Sequence, residues 1–333
     1  MKELVLHIGT EKTGTTSIQE FLALNRANLK NAGILYPASL GQSNHVRLAA
    51  CADIEPWRLA KAHFKIVNKD SFLVFRHHVL QKFQLELQES NCQRVIISNE
   101  HLHSHVNQSE QFLFLKDILE KNFSSIKILI YFRRQDLMAV SRYYTALKVG
   151  FIPSGHFDVS TKDYYFNFFS IYQNWAQHFG AENINVRIFS KEKFLNHNLI
   201  DDFCSSAEIG NTNGFYLPNR ENSSLSMEAE CLLIELNKRI IEKKLELTDN
   251  QRTHLIEQFS KQFKGNIRFP IRELATNFYH AFDQSNADLQ QKLNMLDEPL
   301  FNTDFAMYPL VMDTALFNEK QIWAQKELDT FLP

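Results

Sequence analysis

Short apolar runs alternate with longer stretches of helical period along the first two thirds of this chain. Leu4-Val5-Leu6-His7-Ile8, Arg94-Val95-Ile96-Ile97-Ser98, Ile126-Lys127-Ile128-Leu129-Ile130-Tyr131-Phe132 and Asn185-Val186-Arg187-Ile188-Phe189 are short and rich in β-branched residues, which predicts strands. Ile34-Leu35-Tyr36-Pro37 is a briefer strand-like run. Amphipathic patterns between them predict helices near residues 71–89, 109–122, 135–148 and 163–179. Strands separated by helices of this length need right-handed crossovers, so the expected class is α/β, a parallel sheet flanked by helices on both faces. After about residue 215 the strand signal fades, and the stripe Leu232, Leu233, Leu236, Ile240 predicts a mainly helical C-terminal extension. Gly210-Asn211-Thr212-Asn213-Gly214 reads as the connecting loop. The expected organisation is one domain over 1–333, with an α/β core over 1–215 and a helical region over 216–333.

Composition narrows this only a little. With 333 residues, 44% hydrophobic and 22% charged, the chain can bury a large core, and wholesale disorder is excluded. A formal charge of −2 offers no overall attraction to nucleic acid or anionic membrane, so any anion site must be local. Cys51, Cys92, Cys204 and Cys231 form no CxxC pair, which favours buried or free thiols in a reducing compartment over a disulfide framework or zinc site. No signal-peptide pattern opens the sequence and no run approaches a membrane span, so the expected location is cytoplasmic.

The first predicted strand runs into Gly9-Thr10-Glu11-Lys12-Thr13-Gly14-Thr15-Thr16-Ser17-Ile18, and Ile18, Phe21 and Leu22 then share one helical face. Strand, glycine-bounded loop and helix together form a cradle for a phosphate or sulfate, because a helix start offers unpaired N–H groups and a positive dipole end. That makes the expected sheet P-loop-like. A triphosphate-binding loop, G-x-x-x-x-G-K-[ST], carries lysine directly after its second glycine. Here Thr15 stands there, and the loop's lysine is Lys12, two residues before Gly14. An ordinary strand-to-helix turn is the plainer alternative.

In open α/β sheets ligands bind beyond the carboxyl ends of the strands, which directs attention to Gly9–Thr16, Asn99–His103 and Arg133–Ser141. Arg133 closes a strong strand and Ser141 follows eight residues later on the next helix, where Asp136 is a natural cap. A guanidinium fork and a hydroxyl suit a second phosphate, although an arginine after a strand is commonly just solvated or paired. Glu100 and His101 end another strand on the same side. His101, His103 and His105 alternate as along an extended segment, and metal binding there is not expected. Tyr143, Tyr144, Tyr164, Tyr165 and Trp175 suit either a sugar-stacking wall or the core, and aromatic stripes at helical spacing favour the core. Arg220-Glu221-Asn222-Ser223-Ser224 reads as polar residues leading into a helix, or as a loop returning to a phosphate.

Lys12-Thr13-Gly14-Thr15-Thr16-Ser17 resembles the 5′-phosphosulfate loop of sulfotransferases that use 3′-phosphoadenosine-5′-phosphosulfate (PAPS), commonly P-K-[ST]-G-T-T. The step from Arg133 to Ser141 matches the arginine and serine with which that family holds the 3′-phosphate, and the flanking Tyr-Phe-Arg-Arg-Gln-Asp and Ser-Arg-Tyr-Tyr look like its bacterial, carbohydrate-type branches. The likeness covers roughly residues 1–240; Glu11 departs from it, standing where proline is usual. What the resemblance implies is in-line sulfuryl transfer from PAPS, without a metal, to a hydroxyl or amine of a carbohydrate or glycolipid. Lys12 would meet the oxygen bridging sulfur and phosphate, with Thr13, Gly14, Thr15, Thr16 and Ser17 around the 5′-phosphate and Arg133 and Ser141 at the 3′-phosphate. Two bases stay open. His45 sits where the catalytic histidine falls in enzymes acting on glycosaminoglycan hydroxyls, and Glu100 matches the carboxylate bases of other members.

Two other classes compete. A kinase or hydrolase of ATP or GTP is opposed by the lysine position and by a strand at 126–132 that ends in arginines rather than a magnesium-holding acid. A nucleotide-binding module without turnover is opposed by the intact lysine and an available histidine.

Overall fold

The computed structural model describes residues 1–218, 225–295 and 298–332. Five parallel strands form one sheet in the order β2-β3-β1-β4-β5: β1 is Lys2–His7, β2 Ile34–Leu35, β3 Arg94–Ser98, β4 Phe123–Phe132 and β5 Ile184–Ile188. The helices, in chain order, begin with α1 (Thr15–Leu24), α2 (Arg26–Asn31), α3 (Val46–Cys51), α4 (Arg58–Phe64) and α5 (Lys69–Glu89). They continue with α6 (His101–His105), α7 (Ser109–Glu120), α8 (Gln135–Lys148), α9 (Phe168–Phe179) and α10 (Leu199–Ser206). The remainder are α11 (Met227–Ile241), α12 (Asp249–Gln262), α13 (Arg272–His280), α14 (Asp283–Lys292) and α15 (Thr314–Glu327). This is the α/β, P-loop-like parallel sheet flanked by helices that the alternation of patterns predicts.

The chain divides into two compact units that interleave along the sequence. One holds Met1–Arg133, Lys162–Asn219 and Gln284–Phe301; the other holds Arg134–Thr161, Arg220–Asp283 and Asn302–Pro333. In the first, β1 is central, with β3 and β4 on either side. Because alternate strand residues point to opposite faces, Val5, Ile96, Leu129 and Tyr131 pack with Ile18, Phe21 and Leu22 of α1 and with Ile200 and Phe203 of α10. Leu4, Leu6, Ile97, Ile128 and Ile130 are equally buried, so both faces are covered, as a parallel sheet requires. β4 starts three residues earlier than its apolar run, at Phe123, because Lys2 extends the pairing to it.

The second unit is helical and is pinned by buried charge. The Glu230 carboxylate accepts from Tyr143 Oη (2.7 Å), Tyr144 Oη (3.2 Å) and Arg268 Nε (3.0 Å), so every buried polar group there has a partner of matching role. Arg134 pairs with Asp136 through two bonds of 2.8 and 2.9 Å, and Tyr308 Oη donates to Asp136 as well at 2.5 Å. Asp136 is therefore an ion-pair partner and not the helix cap the sequence suggests; Arg134 holds the cap position of α8 without any side-chain cap bond. Tyr143, Tyr144, Tyr165 and Trp175 are buried, and the four cysteines are free and buried. No helix among the described residues is long and apolar enough to cross a membrane.

Candidate functional site

The loop between β1 and α1 is held by the neighbouring strand before it turns. Ile8 N–H donates to Leu129 O (3.0 Å), and the N–H and Oγ1 of Thr10 both donate to Tyr131 O (2.9 and 3.0 Å). Thr13 Oγ1 donates back to Thr10 O (2.5 Å) and closes the turn, so this buried hydroxyl is a structural brace while the Thr13 N–H stays on the loop. Gly14 caps α1 at φ 72°, and the first helical bond runs from Ile18 N–H to Gly14 O at 3.2 Å. The N–H groups of Thr15, Thr16 and Ser17 precede that bond, and no acidic residue sits in the first turn, so the helix start is an uncompensated positive end. Glycine is favoured at this left-handed position, and a Cβ there would also run into the Leu199 side chain and lie 3.2 Å from Phe189.

Lys12 occupies the left-handed region at φ 66°, a conformation uncommon for any residue with a Cβ. Arg133 Nη1 donates to Lys12 O at 2.9 Å, so the arginine at the end of β4 reaches the loop itself, with its guanidinium carbon 5.4 Å from the Phe189 ring centroid. Ser141 lies on α8 in the second unit.

Beside the loop, Glu100 follows β3 with its Cβ 3.1 Å from where a side chain on Gly9 would begin. Its carboxylate accepts from Gln19 Nε2 (2.6 Å) on α1 and Asn44 Nδ2 (2.9 Å), and Asn99 Nδ2 in turn donates to Asn44 Oδ1. Gln19 and Asn44 were not singled out by sequence reasoning. The available signal was Gln19 itself, an amide placed on the buried stripe of α1 between Ile18 and Leu22.

His45 is wholly buried against the Tyr36 ring, 4.2 Å between centroids, and burial lowers its pKa to about 3. Its Nδ1 accepts the Ser98 N–H at 3.2 Å, which places the imidazole proton on Nε2. A neutral ring in that tautomer, closed off from solvent, is fitted to bracing the end of β3. The histidines after Glu100 are not extended: His101–His105 form the single helical turn α6, which puts His101 and His105 on one face with ring centroids 5.5 Å apart. The turn forms because the carbonyls of Asn99 and Glu100 accept from Leu102 and His103 N–H, overriding the alternation in the sequence. Among the described residues no three His, Cys, Asp or Glu side chains are arranged to hold a metal ion. Arg220-Glu221-Asn222-Ser223-Ser224 lie outside the described residues; beyond them Ser226 caps α11.

No family model matches the chain. A stretch of 141 residues is 33% identical to an uncharacterized protein of Archaeoglobus fulgidus, covering 40% of this chain and 38% of that protein, less than half of either. In three dimensions the chain is similar to the crystal structure of a sulfotransferase from Alicyclobacillus acidocaldarius, with a TM-score of 0.46 and 13% identity over 88% of this chain and 96% of the other.

Proposed function

We propose that the protein transfers a sulfuryl group from PAPS to a hydroxyl or amine of a carbohydrate-like acceptor. The observation that carries the reading is the loop: a helix start with no acidic residue in its first turn and a lysine set before its capping glycine, with Thr15 where a triphosphate-binding loop carries its lysine. In this reading the N–H groups of Thr13 to Thr16 and the hydroxyls of Thr15, Thr16 and Ser17 hold the 5′-phosphate. Lys12 stabilises charge on the oxygen that leaves sulfur, so the chain supplies positioning and charge where charge develops. Arg133 and, by its spacing from it, Ser141 are the proposed 3′-phosphate contacts.

Of the two bases, we assign proton removal to Glu100. Its carboxylate is partly exposed and oriented by two amides beside the loop, whereas the Nδ1 of His45 is taken by a backbone N–H and its ring is sealed from solvent. Four unpaired, buried thiols support a cytoplasmic setting for the reaction.

Calorimetry tests the reading directly. Adenosine 3′,5′-bisphosphate should bind without magnesium and far more tightly than ATP, and Lys12→Ala should abolish transfer of labelled sulfate from PAPS to a panel of glycan acceptors. Magnesium-dependent preference for ATP would overturn the proposal, and cofactor binding with no transfer to any acceptor would leave a binding module.

A further inference from the structure

The loop lysine is bracketed by two tethers, one on each side. On the C-terminal side Arg133 donates to the Lys12 carbonyl at 2.9 Å. On the N-terminal side the tether is Glu11. Tyr165 Oη donates to its Oε2 at 3.0 Å, His101 Nδ1 lies 3.6 Å from its Oε1, and its own N–H points to His103 Nδ1 at 3.4 Å. His103 is itself locked, since its Nε2–H donates to the Tyr165 carbonyl at 3.0 Å, so the Tyr165 and His103 groups that grip Glu11 also hold each other.

These partners come from separate parts of the first unit, α6 after β3 and the turn before α9, and they meet on one side chain of the loop. Such convergence is more than a surface ion pair requires. Burial disfavours charge on Glu11, yet the His101, His103 and Ser104 side chains outweigh it and hold the carboxyl at about 2, so it stays ionised. His101 is shifted the other way: burial opposes its charge, but the Glu11 and Glu100 carboxylates raise its pKa. The two shifts run in opposite directions, each favouring the charge that attracts the other partner. Between the two tethers Lys12 holds its left-handed conformation, a state that persists only where the surroundings over-determine it.

We propose that Glu11 is a positioning residue, whose carboxylate, clamped by Tyr165 and His101, holds Lys12 in the backbone conformation that sets its side chain for sulfuryl transfer. The inference rests on the reading of the site as a PAPS loop. Its consequence is selective. Most of the groups assigned to the 5′-phosphate, the Thr15 and Thr16 N–H groups and the Thr15, Thr16 and Ser17 hydroxyls, belong to the helix start beyond Gly14, which the clamp does not contact, whereas the lysine acts on charge that appears only in the transition state.

Glu11→Ala should therefore lower kcat about tenfold, the loss expected for one charge-assisted hydrogen bond, while the affinity for adenosine 3′,5′-bisphosphate stays within about threefold of wild type. Glu11→Gln keeps an acceptor for Tyr165 and should recover part of the rate. Tyr165→Phe added to Glu11→Ala should cost little more than Glu11→Ala alone, because both remove the same contact. Equal losses of kcat and affinity, additive effects, or an unchanged kcat would overturn the positioning role. Wild-type protein that neither binds the bisphosphate nor transfers sulfate would sink the parent reading instead. The clamp then has its own readout: without any ligand, amide exchange at Thr13 and Gly14 should be about tenfold faster in Glu11→Ala, and unchanged exchange refutes it.

Discussion

Gly14→Ala probes whether the loop is built as its geometry implies. Two costs are added by one methyl group. The left-handed φ of 72° is open to glycine but costs an alanine about 1–2 kcal/mol. The new Cβ would also collide with the Leu199 side chain and press on Phe189 at 3.2 Å. Overpacking of this kind costs about 1–3 kcal/mol, and the lower end applies because the first atom met is the movable tip of a leucine. The sum is about 2–3 kcal/mol, measured as a drop in unfolding free energy by urea titration. Because the same residue caps the phosphate-facing turn, affinity for adenosine 3′,5′-bisphosphate should fall by at least about tenfold in parallel. Gly14→Ala with Leu199→Ala separates the two terms: relief of the collision should make the pair less destabilising than the sum of the singles by about 1 kcal/mol, leaving the backbone strain. Stability within about 0.5 kcal/mol of wild type together with unchanged affinity would refute the argument, because neither the left-handed cap nor the close approach could then be real.

The remaining predictions concern the base and the acid limit. Glu100→Gln should lower the single-turnover rate about 10²–10⁴-fold with little change in cofactor affinity, while His45→Asn should mainly destabilise; a rate loss in His45→Asn equal to that in Glu100→Gln would hand the base role to His45. Burial lowers His7 and His45 to about 3 and His103 to about 4, from 6.5. These rings are neutral when folded but take protons when unfolded below pH 6.5, so the unfolded chain binds more protons and stability falls with pH from 6.5 toward 4. Each contributes a slope of up to about 1.4 kcal/mol per pH unit. Glu11, lowered from 4.5 to about 2, adds a loss below pH 4.5, whereas His101, raised, works in the opposite sense and loses its contribution as pH rises above 6.5. Urea midpoints that do not move between pH 4 and 7 would contradict this.

Local signals carried most of the sheet. β3 and β5 lie on the apolar runs Arg94–Ser98 and Asn185–Phe189, and Gly14 marks the helix start, because burial, pleat and backbone conformation act within a few residues. The histidine turn defeated the same logic: three alternating histidines around a single leucine carry no clear burial pattern, and the carbonyls of Asn99 and Glu100 after β3 decided the conformation. Contacts of high sequence separation were out of reach altogether. Tyr165 meets Glu11 across 154 positions and Gln19 meets Glu100 across 81, and neither distance leaves a periodic trace. The interleaving of the units is of the same kind, since 134–161 and 302–333 join 220–283 through packing rather than chain order. Asp136 illustrates how a cap signal is outbid, in this case by a buried pair with Arg134.

The central place of β1 has a consequence for how the protein is made. The strand that carries the loop is translated before its partners β3 and β4, which follow some 90 and 120 residues later, and the bonds from Thr10 to Tyr131 span 121 positions. At about 5–20 residues per second, the edge of Leu4-Val5-Leu6 that faces β4 would stay unpaired for roughly 6–24 s after β1 is made. During that interval the nascent chain presents an apolar strand with an open edge and a loop without its braces, because the bonds from Ile8 and Thr10 and the Arg133 tether all come from β4 and the arginine that follows it. Shielding by a chaperone that holds extended apolar segments would matter most in that window, and a chain stalled before Phe123 could neither close its sheet nor form the anion cradle.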